Sequence, residues 1–131
     1  MEQNEKTRAL LAAFGCALAY LLAGKALTAV LPQVPEEAAR MWAFVHRCAA
    51  APIVEELVFR GIIQQLAQPL GERQAVALQA VLFAVQHRGP AGMAYALVCG
   101  LVLGTIRSRT GSVWPGMLLH TLNNLLVFAA G

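Results

Sequence analysis

The sequence predicts an all-α fold, a polytopic bundle of about five transmembrane helices. Hydrophobic residues make up 58% of the 131 residues and charged residues only 13%, whereas a typical soluble domain carries roughly 25% charged residues. The apolar residues fall in long runs that short polar, proline or glycine segments separate. A soluble domain of this size could not bury so much apolar surface, because small domains leave a large share of their surface exposed.

The charge pattern argues against a nucleic-acid partner. The formal net charge is +3, but the ten Lys and Arg are scattered singly between the apolar runs. A nucleic-acid-binding surface would show a basic stripe interleaved with aromatic residues, whereas scattered basic residues are typical of membrane edges. The three cysteines, Cys16, Cys48 and Cys99, have neither disulfide-framework nor zinc-site spacing. Each is predicted to be a small buried hydrophobic residue.

The first predicted helix runs from Ala9 to Leu31 and is interrupted only by Lys25. It is long enough to cross the hydrocarbon core of a bilayer, about 30 Å thick. A cleaved signal peptide would have a basic start and a shorter apolar region, so this helix is expected to remain uncleaved. Pro32 and Pro35 are expected to end it. Residues 1–40 are therefore expected to form an N-terminal transmembrane helix and connector.

Four further helices are predicted within residues 41–131. The second run extends from Met41 to Gln68, with a kink expected at Pro52. The later runs are Glu72 to His87, Ala91 to Ile106 and Val113 to Ala130. The segments between the runs are the turns at Gly71 and at Arg88-Gly89-Pro90 and a polar loop from Arg107 to Ser112. Pro115 falls in the first turn of the last helix, where proline is tolerated.

Basic residues near the helix ends predict a topology. If the N-terminus is inside, several basic residues fall on the cytoplasmic side, namely Lys6, Arg8, Arg73, Arg107 and Arg109. The basic residues on or near the other side are Arg40, Arg47 and Arg88. This distribution agrees with the tendency of cytoplasmic loops to carry more Lys and Arg.

Three charged residues, Glu55, Glu56 and Arg60, lie inside an apolar run. Left unpaired at mid-bilayer, they would together cost on the order of 8–10 kcal/mol, even on the scale that assigns the lowest cost to buried charge. They must therefore be paired or face a water-filled cavity. Glu56 and Arg60 are four residues apart in the order that favours an ion pair. Glu55 is rotated by about 100° from Glu56 and points elsewhere, either toward a reaction or as a second partner of Arg60.

Two histidines and a carboxamide lie on other predicted helices. Phe83 is one turn before His87, and His120 shares a helix face with Asn124. If these groups and Glu55 converge in a cavity, they could activate a water molecule and stabilise an oxyanion.

Each of these residues also has a structural interpretation. His87 could be an interfacial histidine, and His120 with Asn124 could be a hydrogen-bonded pair that holds helices together. His46 has no polar partner at helical spacing and is predicted to be structural. Asn123 is predicted to support packing or the neighbouring site.

At these residues the chain resembles the intramembrane proteases that include the Rce1-type CAAX prenyl endoproteases and the bacterial Abi or CPBP proteins. That family has the motifs Glu-Glu-x-x-x-Arg, Phe-x-x-x-His and His-x-x-x-Asn. They match Glu55 to Arg60, Phe83 to His87, and His120 to Asn124, in the same order. Thr110 to Gly116 also looks like the family. The resemblance covers about Met41 to Phe128 and implies that residues 41–131 form a CAAX-protease-like catalytic core.

The resemblance implies a catalytic role for four residues. In the family the first Glu and the His of the Phe motif are proposed to activate the attacking water, and these correspond to Glu55 and His87. The last His and Asn are proposed to stabilise the oxyanion, and these correspond to His120 and Asn124.

The resemblance also bears on the supporting residues and the cofactor. Glu56 and Arg60 match the family positions assigned to support or substrate contact. The family has been described both as metalloproteases and as glutamate-type proteases, and no cofactor is expected to be required here. Zinc held by Glu55, His87 and His120 is the less favoured alternative, because the sequence has no His-Glu-x-x-His motif.

The leading functional hypothesis is an intramembrane endopeptidase in the plasma membrane of a bacterium. Its substrate would be a membrane-associated protein or peptide, in peptide maturation or bacteriocin self-immunity. No prenyl-recognition feature is readable, which favours the peptide substrates of the bacterial relatives. The main alternative is a non-enzymatic immunity or partner-binding protein whose polar cluster packs the helices. A transporter is disfavoured, because the sequence lacks the paired halves of many transporter folds.

Overall fold

A computed structural model describes residues 2–30 and 34–131. Within these residues the chain forms five helices and no strand, which confirms the predicted all-α fold. The helices are α1 (Glu2–Val30), α2 (36–66), α3 (Glu72–Ala84), α4 (Gly89–Thr110) and α5 (Trp114–Ala129). Of these, α1 and α4 are long and apolar enough to cross a membrane, with mean hydropathies of 1.8 and 1.6.

The first two helices begin earlier than the apolar pattern predicts. Helix α1 begins at Glu2 rather than Ala9, and α2 begins at Glu36 rather than Met41. Both extensions carry acidic residues in the first turn, where negative charge interacts favourably with the helix dipole. The apolar run therefore marks the membrane-compatible part of a helix, and polar residues extend the helix beyond it. The predicted end of the first helix at Leu31 and Pro32 lies outside the described residues.

The prediction that α3 continues to His87 is wrong. The helix ends at Ala84, and His87 lies in the turn that follows. Arg88 is extended, with φ −88° and ψ 134°, as is usual for the N-cap residue of a helix. Pro90 lies in the first turn of α4, where its missing N–H has no cost. The side chain of His87 is therefore positioned by a turn.

The prediction of a polar loop from Arg107 to Ser112 is also wrong, because α4 continues to Thr110. Arg107 and Arg109 lie in its last turn, where positive charge interacts favourably with the helix dipole. Gly111 then ends the helix in the left-handed conformation, with φ 68°. The predicted position of Pro115 in the first turn of α5 is confirmed.

Helix α2 is a continuous helical segment that contains two π-helical stretches. They are His46–Ala50 and Glu56–Ile63, on either side of the α-helical residues Ala51–Glu55. Pro52 has no N–H to donate to the carbonyl four residues before it, and the first π-helical stretch lies directly upstream of it. Glu56 and Arg60 belong to the second stretch, and both are buried. Helix α2 then ends at Leu66 and is followed by a 3₁₀ turn, Gln68–Leu70, rather than continuing to Gln68 as predicted.

Small residues form the helix contacts, whereas large apolar residues face outward. Helix α1 buries Ala9, Ala13 and Ala17 along one face and exposes large residues such as Leu11 and Leu18. This arrangement is typical of membrane proteins, because small residues allow close helix approach and the outer face contacts lipid.

Helices α3 and α4 approach each other closely at Gly100. A Cβ atom added to Gly100 would lie 2.9 Å from the Cα of Ala80. Two buried glutamines hold α4 through its backbone: Gln79 donates to the carbonyl of Gly100 at 2.7 Å, and Gln64 donates to the carbonyl of Gly104 at 3.0 Å. These bonds fix α2 and α3 against α4. The polar residues of the motifs are then supplied mainly by α2 and α5.

Candidate active site

Each of the three motifs contributes at least one side chain to the lining of one cleft of about 1020 Å³. Helix α2 supplies Glu55, the turn after α3 supplies His87, and α5 supplies His120 and Asn124. The structure therefore brings together all four residues that the sequence predicts to be catalytic, although their helices are far apart in the chain.

His120 lies between two carboxylates. Its Nδ1 is 2.9 Å from Oε1 of Glu56, and its Nε2 is 3.6 Å from Oε2 of Glu55. Since a carboxylate only accepts hydrogen bonds, Nδ1 of His120 is the atom that donates to Glu56. The Glu55 side chain is 20% exposed, whereas that of Glu56 is fully buried. Glu55 is therefore the carboxylate that faces the cleft, and Glu56 supports the imidazole from behind.

The predicted ion pair between Glu56 and Arg60 is present and completely buried. Oε1 of Glu56 is 3.1 Å from Nη1 of Arg60, but the N–H direction does not form an aligned hydrogen bond. Oε1 of Glu56 also accepts from His120, so the same carboxylate oxygen contacts a guanidinium and an imidazole. The sequence did not predict this second contact.

Gly116 explains how this carboxylate fits against α5. A Cβ atom added to Gly116 would lie 2.8 Å from Oε2 of Glu56. Gly116 is one turn before His120 on the same helix, so the glycine makes room for Glu56 beside the histidine. The glycine was visible in the Thr110 to Gly116 segment, but its partner Glu56 could not be identified from the sequence.

Phe83 contacts several groups of the site. The Cζ atom of Arg60 lies 4.4 Å from the centre of the Phe83 ring, which is cation–π geometry. The ring also makes edge contacts with His87, with centroids 4.7 Å apart, and with His120, at 5.9 Å. The aromatic residue of the second motif therefore packs between the arginine of the first and both histidines.

A backbone carbonyl sets the orientation of His87. Nδ1 of His87 is 3.0 Å from the carbonyl oxygen of Phe83, and because a carbonyl only accepts, Nδ1 carries the hydrogen. In the neutral imidazole, Nε2 then has a free lone pair that can accept a proton. His87 lines the cleft together with Glu55.

Asn124 is held by the backbone of α2. Its Nδ2 donates to the carbonyl of Arg47 at 2.8 Å, and its Oδ1 accepts from Asn123 at 3.3 Å. Tyr95 of α4 in turn donates to the side chain of Asn123. Asn123 therefore supports its neighbour, and the carboxamide of Asn124 is oriented by contacts with α2 and α5.

The cleft also contains residues that the sequence reasoning did not assign to it. Arg40, His46 and Arg47 line the cleft, and His46 was predicted to be structural. Arg40, Arg47 and Glu55 are seven and eight residues apart along α2, a spacing that places residues on one helix face. From the sequence, this spacing could have indicated that the cleft extends along α2 and that basic residues line one side of it.

We looked for groups of possible metal ligands among the described side chains. Within residues 2–30 and 34–131, no group of three His, Cys, Asp or Glu residues comes together to hold a metal ion. Both ring nitrogens of His120 face carboxylates, and Nδ1 of His87 faces a backbone carbonyl.

The model of the family described as type II CAAX prenyl endopeptidase Rce1-like matches residues 37–126 of the chain. The chain belongs to this family. Neither a search of curated proteins nor a search of solved structures finds a match to the chain. As an Rce1-like protein, the chain is membrane-embedded and is a CAAX-type protease that acts on a peptide or protein substrate in the membrane. The matched residues include all three motifs and helices α3 and α4, whereas α1 lies outside the match.

Proposed function

We propose that the protein is a glutamate-type intramembrane endopeptidase in which Glu55 and His87 activate the attacking water. The observation that carries this proposal is that Glu55, His87, His120 and Asn124 line one cleft, with Glu55 partly exposed to it. A carboxylate and an imidazole nitrogen are both suitable bases for a bound water. No step in the proposed reaction requires a metal.

The reaction begins when the water oxygen attacks the carbonyl carbon of the scissile peptide bond. The new C–O bond forms as one O–H bond of the water breaks, and Glu55 or Nε2 of His87 takes the proton. The carbonyl oxygen becomes an oxyanion. When the C–N bond then breaks, the same proton passes to the nitrogen of the leaving amine.

His120 and Asn124 are proposed to stabilise the oxyanion. In its imidazolium form His120 donates from both ring nitrogens, so Nδ1 can hold Glu56 while Nε2 donates to the oxyanion. The Nδ2 of Asn124 has a second hydrogen besides the one that it gives to Arg47. Donors that are already oriented before the reaction stabilise the developing charge effectively.

We further propose that the protein acts in the plasma membrane of a bacterium on a membrane-associated peptide, in peptide maturation or bacteriocin self-immunity. The family relationship supports a membrane substrate. Any leader peptide or bacteriocin that is encoded beside the gene should be tested first as a substrate, because a neighbouring gene of this kind would identify the class of substrate.

The test is cleavage of a library of membrane-tethered peptides by the full chain in lipid nanodiscs, with products identified by mass spectrometry. Glu55→Gln, His87→Ala and His120→Ala should each abolish cleavage while the protein still inserts. Thermal unfolding of Glu55→Gln should stay close to that of the wild type, whereas His120→Ala also removes a buried hydrogen bond to Glu56 and should lower stability. Glu37→Gln, at the exposed start of α2, is the matched control and should cleave normally.

Full activity of all three variants on an accepted peptide would refute the proposed roles. If the variants instead lose stability and no peptide is cleaved by the wild type, the non-enzymatic alternative gains support. In that alternative, α2 is held against α5 by the buried cluster of Glu56, Arg60 and His120.

A further inference from the structure

The active-site cleft continues along helix α2, beyond the residues proposed to be catalytic. Glu55 is the last residue of α2 that lines it, and Arg47 and Arg40 line it eight and fifteen residues earlier. Since a helix rises by about 1.5 Å per residue, Arg47 lies about 12 Å and Arg40 about 20 Å from Glu55 along the axis. The cleft is therefore long enough to hold several residues of a substrate beside the cleaved bond.

Both arginines are accessible to a ligand. Each is an exposed residue, and among the described residues neither makes an ion pair with a carboxylate. Glu36 and Glu37 lie within one turn of Arg40, but within residues 34–131 they form no such pair with it. Arg47 accepts a hydrogen bond from Asn124 through its backbone carbonyl, which leaves its guanidinium available to the cleft.

The charged side chains along the cleft differ in sign from one part to the other. Arg40 and Arg47 are positive, whereas Glu55 is the carboxylate side chain that lines the cleft beside the histidines. An acidic residue of a substrate would be repelled near Glu55 and attracted near Arg47, because complementary charges fix the register of two partners. Charge therefore favours the register in which the scissile bond lies at Glu55 and an acidic residue lies at the arginines.

We propose that Arg47 and Arg40 bind acidic residues of the substrate and thereby select peptides with an acidic segment close to the cleavage site. An extended peptide advances by about 3.3 Å per residue. The distance from Glu55 to Arg47 then corresponds to about three or four residues, and Arg40 lies about three residues further on. This inference rests on the proposed protease function, because the position of the acidic residue is counted from the cleaved bond.

The position of the arginines favours a substrate group over a lipid headgroup. Both lie in the cleft that contains the proposed catalytic residues, so a group bound to them is held in line with the reacting bond. A guanidinium pairs well with a carboxylate because it offers parallel N–H donors. Two arginines spaced by about 10 Å on one helix face also match acidic side chains that are spaced along an extended segment.

The first experiment measures cleavage by the full chain in nanodiscs of phosphatidylcholine. A single Glu is moved through successive positions of an accepted peptide, with Gln as the reference, and a C-terminal amide removes the terminal carboxylate. The value of kcat/KM should be highest with Glu three or four residues from the cleaved bond. The expected advantage over Gln is about fivefold, as for a partly exposed ion pair, and high salt should reduce it.

Substitutions of the arginines test which side chain reads the charge. Arg47→Gln should lose the preference for Glu over Gln, and Arg47→Glu should instead prefer Lys at that position, which a purely structural role would not produce. Arg40→Gln should lose the preference at the more distant position only. Arg73→Gln is the matched control, because Arg73 is exposed but does not line the cleft, and it should keep both preferences.

Two results would overturn the proposal. One is a preference for Glu that survives in Arg47→Gln or is lost equally in Arg73→Gln. The other is a loss of activity in Arg47→Gln that is equal for the Glu and Gln peptides and appears only in anionic phospholipid, because the arginine would then bind headgroups.

A binding measurement separates this inference from the proposed chemistry. Glu55→Gln is expected to bind peptides without cleaving them, so the affinities of fluorescent Glu and Gln peptides can be compared in it directly. Cleavage and binding without any preference for Glu would refute the acidic subsite and leave the protease function standing. Preferential binding of the Glu peptide by a chain that cleaves nothing would refute the protease function and retain the subsite as a peptide-binding site.

Discussion

Nδ1 of His120 and Oε1 of Glu56 lie 2.9 Å apart in the buried centre of the molecule and join α5 to α2. The same oxygen of Glu56 is 3.1 Å from the guanidinium of Arg60. A carboxylate behind a histidine fixes the ring orientation and the position of its proton, as in other catalytic and metal-ligating histidines. In the proposed mechanism Glu56 is thus a positioning residue for His120, and it is the counter-charge of Arg60.

Removing Glu56 should strongly destabilise the protein. Glu56→Ala leaves the buried charge of Arg60 unpaired, and we expect a loss of about 3–5 kcal/mol in the free energy of unfolding. Denaturant unfolding in detergent measures it. In the double variant Glu56→Gln/Arg60→Gln, the loss should be smaller than the sum of the two single losses. Strict additivity would show that the two side chains are not coupled.

Gly116→Ala should disturb the site through its methyl group. The added Cβ would lie 2.8 Å from Oε2 of Glu56, so the carboxylate must move away from α5, and we expect a loss of about 1–3 kcal/mol in stability and lower cleavage activity. Gly61→Ala is the control, because its Cβ would meet its nearest atoms at an ordinary 3.8 Å. Equal stability and activity of both variants would contradict the contact.

Phe83→Leu should lower both stability and activity. The substitution keeps an apolar side chain but removes the ring over Arg60 and the edge contacts with His87 and His120. We expect a loss of about 1–3 kcal/mol in the free energy of unfolding, from the cation–π contact and the aromatic pairs together. Phe14→Leu is the matched control, because Phe14 is an exposed residue of α1 that makes no aromatic pair among the described residues. It should cleave normally.

Chelation should leave cleavage unchanged. The proposed reaction uses Glu55 and His87 to take the proton of the water and needs no metal for this step. The measurement is peptide cleavage by the purified chain before and after treatment with a metal chelator, with elemental analysis of the same sample. A stoichiometric metal whose removal stops turnover, and whose return restores it, would reverse the assignment to a glutamate-type reaction.

The helical architecture could be predicted because long apolar runs have few alternatives in a membrane, where backbone polar groups must be satisfied within the helix. Helix ends were harder to predict. Helix α4 continues through Arg107 because arginine is also a good helix former. Helix α3 stops before His87 because the chain must turn into α4, whose N-cap residue Arg88 is extended.

By itself, the sequence determined the membrane setting, the order of the three motifs and the i, i+4 pair of Glu56 and Arg60, because these depend on composition and local helical spacing. The tertiary structure alone decided that His120 contacts both glutamates and that Gly116 makes room for Glu56. Such contacts join residues far apart in the chain, and they depend on how each helix is rotated. The π-helical stretches of α2 change that rotation, since one residue corresponds to about 100° around a helix.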